Sequence, residues 1–216
     1  MLLKEERELI TEYGRKMSRE NLVKGTGGNI SIFSRKDNLM VISPGSKAYD
    51  TIAAEDVMVT DLEGKVIEGR CKPSSEFRMH AIFYAKRKDI NSVVHTHSIN
   101  ATALSCLRIN LPPIYYLTIA AGPEVRCAPY ALMGTSELAQ AAFETMQNDY
   151  AVLLANHGVL TAADNLDFAY YLAEQVEYAA ELYIKSRIVG QPVNLKEHEI
   201  NDMVTIFDTL RYGKKQ

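Results

Sequence analysis

The sequence has no large excess of charge of either sign and no long basic stretch. Its 24 Lys and Arg residues stand against 27 Asp and Glu residues, which gives a formal net charge of −3 at pH 7. Nucleic-acid-binding domains usually carry a clustered basic surface, whereas the basic residues here are scattered along the chain. We therefore predict a protein without a nucleic-acid partner.

Long apolar runs and paired cysteines are also missing. The longest stretch without a charged residue, 90–107, contains two His and two Asn residues, so we do not expect it to span a membrane. The N-terminus carries charges where a signal peptide would have its apolar part. Cys71, Cys106 and Cys127 show no paired spacing, which is typical of reduced thiols in the cytoplasm. We therefore expect a cytoplasmic protein with no membrane partner.

No internal repeat, low-complexity block or flexible linker divides the chain. Of its 216 residues, 47% are hydrophobic and 24% are charged, so the chain can bury a sizeable core. This length exceeds that of a typical single domain but lies below the point where cores usually split. We therefore predict a single globular domain over residues 1–216.

Helical and strand patterns alternate along the chain. Apolar residues at the helical period predict helices at about 1–20, 74–88, 100–107, 166–189 and 196–210. Thr135 is the expected N-cap of a further helix, and Gly190 the expected end of the long one. Short β-rich runs predict strands at 29–33, 39–43, 57–61, 65–68, 93–97, 114–117, 124–127, 150–155 and 158–162. This alternation predicts an α/β/α sandwich.

Three histidines are candidate metal ligands. His95 and His97 lie two residues apart at the end of an apolar strand, so both imidazoles point to the same face of the sheet. This spacing favours a metal-binding pair. His157 follows a second apolar strand and would join the pair if both strands ended at one edge. Three protein ligands with one open position are typical of a catalytic zinc site, although position alone favours a hydrogen-bonded turn histidine for His157.

Glu76 lies in the motif Pro73-Ser74-Ser75-Glu76 at a predicted helix N-terminus. Its position alone favours a first-turn glutamate stabilised by the helix dipole. The alternative is a carboxylate beside the metal, acting as a labile ligand or a general base. His80 lies four residues further on the same helix face and is therefore a rival third ligand, whereas His198, in a charged run, is expected on the surface.

The glycine-rich segment 24–29 joins a predicted helix to a predicted strand. It lacks the ending of a P-loop, and it precedes a strand instead of following one, which excludes a Rossmann turn. Its backbone amides, with the side chains of Thr26 and Asn29, could still hold a phosphate. So could Ser74 and Ser75 at the helix N-terminus. Each of these two segments alone is weak evidence for an anion site, and such a site requires that the two lie side by side in the fold.

Taken together, these segments resemble the class II aldolase/adducin family. The matching motifs occur in family order and cover nearly the whole chain. They are Gly25-Thr26-Gly27-Gly28-Asn29-Ile30-Ser31, Ile42-Ser43-Pro44, Pro73-Ser74-Ser75-Glu76, Val94-His95-Thr96-His97-Ser98, Cys127-Ala128-Pro129-Tyr130, Gly134-Thr135 and Asn156-His157-Gly158. Each motif alone is weak, but the ordered set is specific.

The resemblance implies a three-layer α/β/α sandwich around a mixed, mainly antiparallel sheet. It also implies a homotetramer with active sites at subunit interfaces. One zinc ion per subunit is expected on His95, His97 and His157, with Glu76 as a fourth ligand in the resting enzyme. His80 is then expected to be a packing residue.

A phosphate site and two catalytic tyrosines follow from the same resemblance. The expected phosphate-binding residues are Thr26, Gly28, Asn29, Ser43, Ser74 and Ser75. In the adjacent loop, Pro44-Gly45-Ser46 departs from the small residue and glycine that usually follow this proline, so Ser46 is a further candidate. Tyr116 and Tyr212 are the expected tyrosines lent by a neighbouring subunit.

The implied reaction is the reversible aldol cleavage of a ketose 1-phosphate, with L-fuculose 1-phosphate as the expected substrate. Zinc would act as a Lewis acid, Glu76 would transfer the proton at carbon, and Tyr116 or Tyr212 would serve the aldehyde oxygen. The expected products are dihydroxyacetone phosphate and L-lactaldehyde. Residues that choose the aldehyde half are expected near the C-terminus and on a neighbouring subunit.

Three alternatives remain open at this point. An L-ribulose-5-phosphate 4-epimerase and a methylthioribulose-1-phosphate dehydratase belong to the same family. Epimerases usually have aspartate at the position of Glu76, so the glutamate favours an aldolase. A non-catalytic module like the adducin head domain is the third alternative, and the presence of all three histidines disfavours it.

Overall fold

The computed structural model describes residues 1–212 and contains six α-helices and eight strands within that range. The helices are α1 (Lys4–Arg19), α2 (Phe77–Lys86), α3 (Ile99–Leu107), α4 (Ser136–Met146), α5 (Leu166–Val189) and α6 (Glu197–Tyr212). The strands are β1 (Asn29–Ser34), β2 (Leu39–Ile42), β3 (Met58–Thr60), β4 (Val66–Glu68), β5 (Ser92–Thr96), β6 (Cys127–Ala128), β7 (Ala151–Leu154) and β8 (Gly158–Ala163). None of these helices is long and apolar enough to cross a membrane.

All eight strands form one sheet in the order β4-β3-β2-β1-β5-β8-β7-β6. Neighbouring strands are antiparallel except β6 and β7, which run parallel. The predicted mixed, mainly antiparallel sheet is therefore confirmed. β5 lies in the interior of the sheet between β1 and β8, and the register places His95 opposite Asn29 on one side and Leu160 on the other.

Helices cover both faces of this sheet, as the α/β/α prediction requires. The side chains of β7 alternate: Val152 and Leu154 pack in the core under α2 and α4, whereas Ala151 and Leu153 pack in the core under α3 and α5. A third cluster of buried residues joins α1 and α5 to the β1 end of the sheet. The sheet is thus buried on both faces, which fixes its register.

Helix ends follow local chemistry, with one correction. Thr135 caps α4 by accepting a hydrogen bond from the Leu138 amide at 3.2 Å, and Gly190 ends α5, as predicted. The helix expected from Ser74 or Ser75 begins only at Phe77, and Ser74 Oγ accepts a hydrogen bond from the Glu76 amide at 3.2 Å just before it. That amide belongs to the N-cap residue of α2.

Two strand predictions between α3 and α4 need correction. The segment predicted as a strand at 114–117 leads instead into a 3₁₀-helix, Tyr116–Ala121, closed by Thr118 on the Tyr115 carbonyl. Pro112 and Pro113, just before it, have no amide protons to donate to a sheet ladder. The strand predicted at 124–127 is reduced to an isolated bridge at Val125 and the two residues of β6.

Candidate metal centre and substrate cavity

The three histidines predicted as ligands meet at one edge of the sheet. His95 lies on β5, His97 follows this strand, and His157 lies in the turn between β7 and β8. The ring centroid of His95 lies 4.8 Å from those of His97 and His157, which are 5.0 Å from each other. The rings meet because β5 pairs directly with β8, so that both segments reach the same edge.

Two glycines allow the backbone to approach these rings. A Cβ at Gly158 would lie 2.3 Å from the Thr96 carbonyl oxygen and 3.1 Å from Cδ2 of His97. A Cβ at Gly27 would lie 2.7 Å from Nδ1 of the same histidine. These distances are shorter than the ~3.5 Å at which atoms normally pack. The glycines of the two sequence motifs are therefore needed to build the centre.

The orientation of His95 is set by the sheet. Its Nδ1 donates a hydrogen bond to the Val159 carbonyl oxygen at 2.9 Å, which leaves Nε2 as the nitrogen that faces the other histidines. This Nε2 lies 3.0 Å from Nε2 of His97. Histidines that bind metals commonly donate their second ring N–H to a backbone carbonyl in this way. The arrangement therefore suits a cation ligand.

Glu76 completes the cluster. It is the N-cap residue of α2 and only 4% exposed. One carboxylate oxygen, Oε2, lies 3.4 Å from His95 Nε2, and the other, Oε1, lies 3.4 Å from His157 Nε2. Oε1 is buried and has no hydrogen-bond partner among the described residues. One ligand atom from each of these three residues and from His97 lies within 4.8 Å of the others, so a cation would satisfy the unpaired oxygen.

The protonation states suit a cation. Burial opposes ionisation of Glu76, but its interactions with His95 and His157 and the hydrogen bond from Asn29 outweigh it and lower the pKa of the carboxyl below its usual range. Burial, together with the neighbouring His95, lowers the pKa of His97 to about 3 and that of His157 to about 4. These two imidazoles are therefore neutral at pH 7, which is the form that binds metals.

The structure separates the remaining histidines from this cluster. His80 is fully buried behind Asn29, whose Oδ1 lies 2.5 Å from its Nε2. Its Nδ1 lies 2.6 Å from Ser31 Oγ, so both ring nitrogens are engaged away from the centre. His198 is exposed on α6. Of the two rivals for the third imidazole, the tertiary structure therefore brings His157 to the cluster.

A cavity of about 880 Å³ opens beside Glu76, His97 and His157. The glycine-rich segment and the serine pair line it together, so the two weak anion-binding signals converge as the phosphate-site hypothesis requires. The lining residues from these segments are Thr26, Gly27, Gly28, Asn29, Ser74 and Ser75. The apolar part of the lining consists of Tyr130, Ala131, Leu132 and Met133. The cavity thus has a polar side and an apolar side.

One predicted phosphate ligand does not line the cavity. Ser43 is fully buried, and its Oγ accepts hydrogen bonds from the Ile30 amide at 3.2 Å and from the Tyr49 hydroxyl at 3.3 Å. The next residues reach the cavity instead, including Ser46, which lies in the left-handed region at φ 59°. The sequence indicated this loop through the motif Ile42-Ser43-Pro44 and through the departure from the family pattern at 44–46.

Sequence reasoning did not identify the apolar wall or Lys47. Lys47 lines the cavity and is held by the buried Asp56, which also pairs with Arg70. Leu132 and Met133 lie between two matched motifs and carry no recognisable pattern of their own. They line the cavity because they follow β6, the last strand at one side of the sheet.

The predicted tyrosines lie outside this cavity in a single chain. Tyr116 begins the 3₁₀-helix, is 49% exposed and packs edge-to-face on Tyr115. Among the described residues, 1–212, those that line the cavity do not include Tyr116. Tyr212 is the last residue of α6, and its side chain lies outside the described part of the chain.

Comparison with known proteins agrees with this geometry. Residues 8–184 match the family described as "Class II Aldolase and Adducin N-terminal domain", and the chain belongs to that family. It is 49% identical over the full length of both chains to a 5-deoxy-D-ribulose 1-phosphate aldolase of Bacillus thuringiensis serovar kurstaki. It is 38% identical to the L-fuculose phosphate aldolase of Escherichia coli K12, over 91% of this chain and 90% of the relative.

A solved structure shows the same fold. The structure of an L-fuculose 1-phosphate aldolase superposes with a TM-score of 0.93 at 42% sequence identity, covering 96% of this chain and 98% of that one. The chain is therefore a class II aldolase, a metal-dependent aldehyde-lyase by family.

Proposed function

We propose that this chain reversibly cleaves a ketose 1-phosphate to dihydroxyacetone phosphate and a short aldehyde. The observation that carries the proposal is the placement of Glu76. Its buried, ionised carboxylate has one unpaired oxygen, and it lies between three imidazoles and the polar side of the cavity. A carboxylate in that position can exchange a proton with a carbon held beside the cation.

The donor set fits zinc, one ion per subunit. Three imidazoles and one displaceable carboxylate leave a position for substrate, which is the pattern of catalytic zinc sites. His95, His97, His157 and Glu76 would hold it. When bound, the cation supplies a Lewis acid that polarises the substrate ketone and stabilises the enediolate charge. Cobalt or manganese could use the same ligands, and metal analysis would separate them.

The polar side of the cavity holds the phosphate in this proposal. The hydroxyls of Thr26, Ser74 and Ser75 and the backbone around Gly28 line one continuous surface. Gly28 has φ of 71°, so its amide can turn toward an anion where other residues would be strained. Binding the phosphate away from the reacting bond orients C3 of the ketose toward Glu76. Ser43 is buried and would hold this surface in place through its hydrogen bonds from the Ile30 amide and the Tyr49 hydroxyl.

Proton transfer follows from these positions. In cleavage, the C4 hydroxyl loses its proton, the C3–C4 bond breaks, and its electron pair passes to the enediolate. Glu76, ionised at rest, takes up the proton lost from the C4 hydroxyl and delivers it to C3, which gives dihydroxyacetone phosphate. In synthesis, ionised Glu76 removes that proton. We assign the relay of the C4 oxygen proton to Tyr116 or Tyr212 of a neighbouring subunit in a homotetramer, because Tyr116 is half exposed and outside its own cavity.

Two substrates fit the apolar wall at Leu132 and Met133. L-fuculose 1-phosphate would give L-lactaldehyde, and 5-deoxyribulose 1-phosphate would give acetaldehyde. Both aldehydes end in a methyl group that an apolar wall can accept. The 49% identical relative, named for 5-deoxy-D-ribulose 1-phosphate, supports the second substrate over the first. We therefore propose a methyl-terminated ketose 1-phosphate, with 5-deoxyribulose 1-phosphate as the preferred member.

The test is release of dihydroxyacetone phosphate by the purified, zinc-loaded protein, followed with an NADH-coupled reductase. Both substrates should give product, with a higher kcat/KM for 5-deoxyribulose 1-phosphate. An isomeric sugar phosphate without dihydroxyacetone phosphate would show an epimerase, and loss of water a dehydratase. Purified protein that takes up well under one equivalent of zinc, cobalt or manganese would instead favour a non-catalytic module.

A further inference from the structure

Behind the metal centre, two rows of polar side chains interlock between α2 and β1. Glu76, His80 and Tyr84 lie four residues apart on one face of the helix, and Asn29 and Ser31 lie two apart on one face of the strand. All five are buried. Buried polar groups in such number are stable only if each finds a partner, and here they partner one another.

The contacts form one continuous chain. Asn29 Nδ2 donates to Glu76 Oε2 at 2.9 Å, and Asn29 Oδ1 lies 2.5 Å from His80 Nε2. On the far side of the ring, His80 Nδ1 and the Tyr84 hydroxyl each lie 2.6 Å from Ser31 Oγ. The Tyr84 hydroxyl also lies 3.1 Å from the Ser31 carbonyl oxygen. The chain therefore links Glu76 to a residue two helical turns away.

Donor and acceptor chemistry gives this chain a direction. An ionised carboxylate only accepts, so Asn29 must present its amide hydrogens to Glu76 and its oxygen to His80. His80 Nε2 must then carry the ring proton. Its Nδ1 accepts from Ser31, and the Ser31 oxygen can accept from Tyr84. The hydrogens donated by Asn29, His80 and Ser31 thus all point toward Glu76, and hydrogen bonds aligned in this way strengthen one another.

The buried environment keeps the two ring groups in the required state. Burial lowers the pKa of His80 to about 3, so the imidazole stays neutral with a single proton. Burial also raises the pKa of the Tyr84 phenol, which therefore keeps its hydrogen. A neutral His80 has one donor and one acceptor, as this position between Asn29 and Ser31 requires.

We propose that His80 is a positioning residue that fixes, through Asn29, how Glu76 is presented to the metal centre. It holds the Asn29 amide in one orientation, so that Asn29 Nδ2 donates a hydrogen bond to Glu76 Oε2. Oε1 stays unpaired and directed to the cluster. This inference rests on the proposed role of Glu76 as metal ligand and proton carrier. Groups that orient metal ligands typically contribute about 10–100-fold to metal affinity or activity.

The test is a double-mutant cycle between His80→Leu and Glu76→Gln, read by zinc affinity in competition with a chromogenic chelator. His80→Leu should weaken zinc binding about 10-fold or more in the wild-type background. In the Glu76→Gln background it should change zinc affinity less than about twofold, because the group that it positions is already altered. An equal loss in both backgrounds, or none in the wild-type background, would overturn the proposal.

Two further variants separate positioning from packing. His80→Gln keeps a donor and an acceptor and should restore zinc affinity to within a few-fold of wild type. Phe83→Leu changes a buried core side chain on the same helix that lies outside the chain of contacts. It should lower the unfolding free energy without weakening zinc binding. If Phe83→Leu weakens zinc as much as His80→Leu, the effect is general loosening and the proposal fails.

The affinity cycle also separates this inference from the proposed function. If the protein shows no aldolase activity yet His80 and Glu76 remain coupled in zinc affinity, only the assigned reaction is wrong. If the protein is an active aldolase and the coupling is absent, only the role of His80 is wrong. In the expected case, the zinc-loaded wild type releases dihydroxyacetone phosphate, and His80→Leu weakens zinc binding only when Glu76 is present.

Discussion

The two sides of the cavity are built in different ways. The metal side consists of the buried side chains of His95 and Glu76 and the partly buried side chains of His97 and His157, held by register and by close glycine contacts. The apolar wall is a loop after β6, where Leu132 is 63% and Met133 53% exposed. In the proposed function, rigid elements hold the groups that must be placed accurately, and the exposed loop would meet the variable part of the substrate. Reaction and substrate choice are thus separable in this fold.

The largest effect is expected from Glu76→Gln, which removes the proton carrier but keeps the shape of the side chain. Turnover should fall about 10²–10⁴-fold, the usual contribution of a general acid–base group. The three imidazoles should still hold zinc, more weakly, so one equivalent should remain at high zinc concentration. Steady-state kinetics with elemental analysis of the same sample measures both.

Glu181→Gln is the matched control for this change. Glu181 pairs with Lys185 on α5 and does not line the cavity, so the same substitution there should leave turnover unchanged. Near wild-type turnover for Glu76→Gln would leave the metal centre in place but disprove the assigned proton transfer.

Gly158→Ala should damage the metal side next most severely. The added methyl group would meet the Thr96 carbonyl oxygen at 2.3 Å, and backbone cannot move aside as a flexible side chain can. We expect a loss of about 1–3 kcal/mol in unfolding free energy, together with at least tenfold weaker zinc binding. Gly190→Ala has no neighbouring atom within 4 Å and is the control, measured by urea unfolding. Equal losses in the two variants would show that close packing at 158 is unimportant.

Lowering the pH should reduce the unfolding free energy of the zinc-free protein, because buried or partly buried histidines in and behind the metal centre resist protonation. His80, His97 and His157 have folded-state pKa values of about 3 to 4, below the ordinary 6.5. Between these limits the unfolded chain binds more protons, so stability falls as pH falls through this window. Each group contributes at most about 1.4 kcal/mol per pH unit. Glu174 partly offsets this, because burial raises its pKa to about 7, so its contribution is lost as pH rises.

Urea unfolding in the presence of a chelator at pH 7, 6 and 5 measures this slope. His157→Gln should reduce it, whereas His198→Gln, at an exposed position, should not. An unchanged slope in His157→Gln would mean that the pKa of this imidazole is the same in the folded and the unfolded protein.

The smallest effect is expected from Met133→Ala on the apolar wall. It should change the ratio of kcat/KM between 5-deoxyribulose 1-phosphate and L-fuculose 1-phosphate by about three- to tenfold, because apolar contacts discriminate weakly. Zinc affinity should stay the same. Ile188→Ala, on an exposed residue of α5, is the control. A large loss of turnover on both substrates would show that this wall also positions the reacting groups.

Much of this centre followed from local patterns. The two-residue spacing of His95 and His97 placed both imidazoles on one face before any fold was known. The cap at Thr135 and the helix end at Gly190 were predicted because capping depends on neighbouring residues only. The strand predicted at 114–117 was wrong. Pro112 and Pro113, just before it, cannot donate hydrogen bonds to a sheet.

Other features could not be read from the chain. Local patterns left His80 and His157 as rivals for the third imidazole, and only the resemblance favoured His157. Pairing of β5 with β8 is what brings His157 to the cluster. Ser43 looked like a phosphate ligand, but its hydroxyl turns inward to Ile30 and Tyr49. The sequence placed neither residue, since each depends on which segments become neighbours.

The sequence by itself therefore determined the family, the elements and the groups that share a strand or helix face. The side-chain period is a local property of the backbone, so it can be read along the chain. Only the tertiary structure decided that Glu76 meets three imidazoles and that His80 stands behind Asn29. Contacts between distant segments depend on sheet register, and register is set by burial of both faces of the whole sheet.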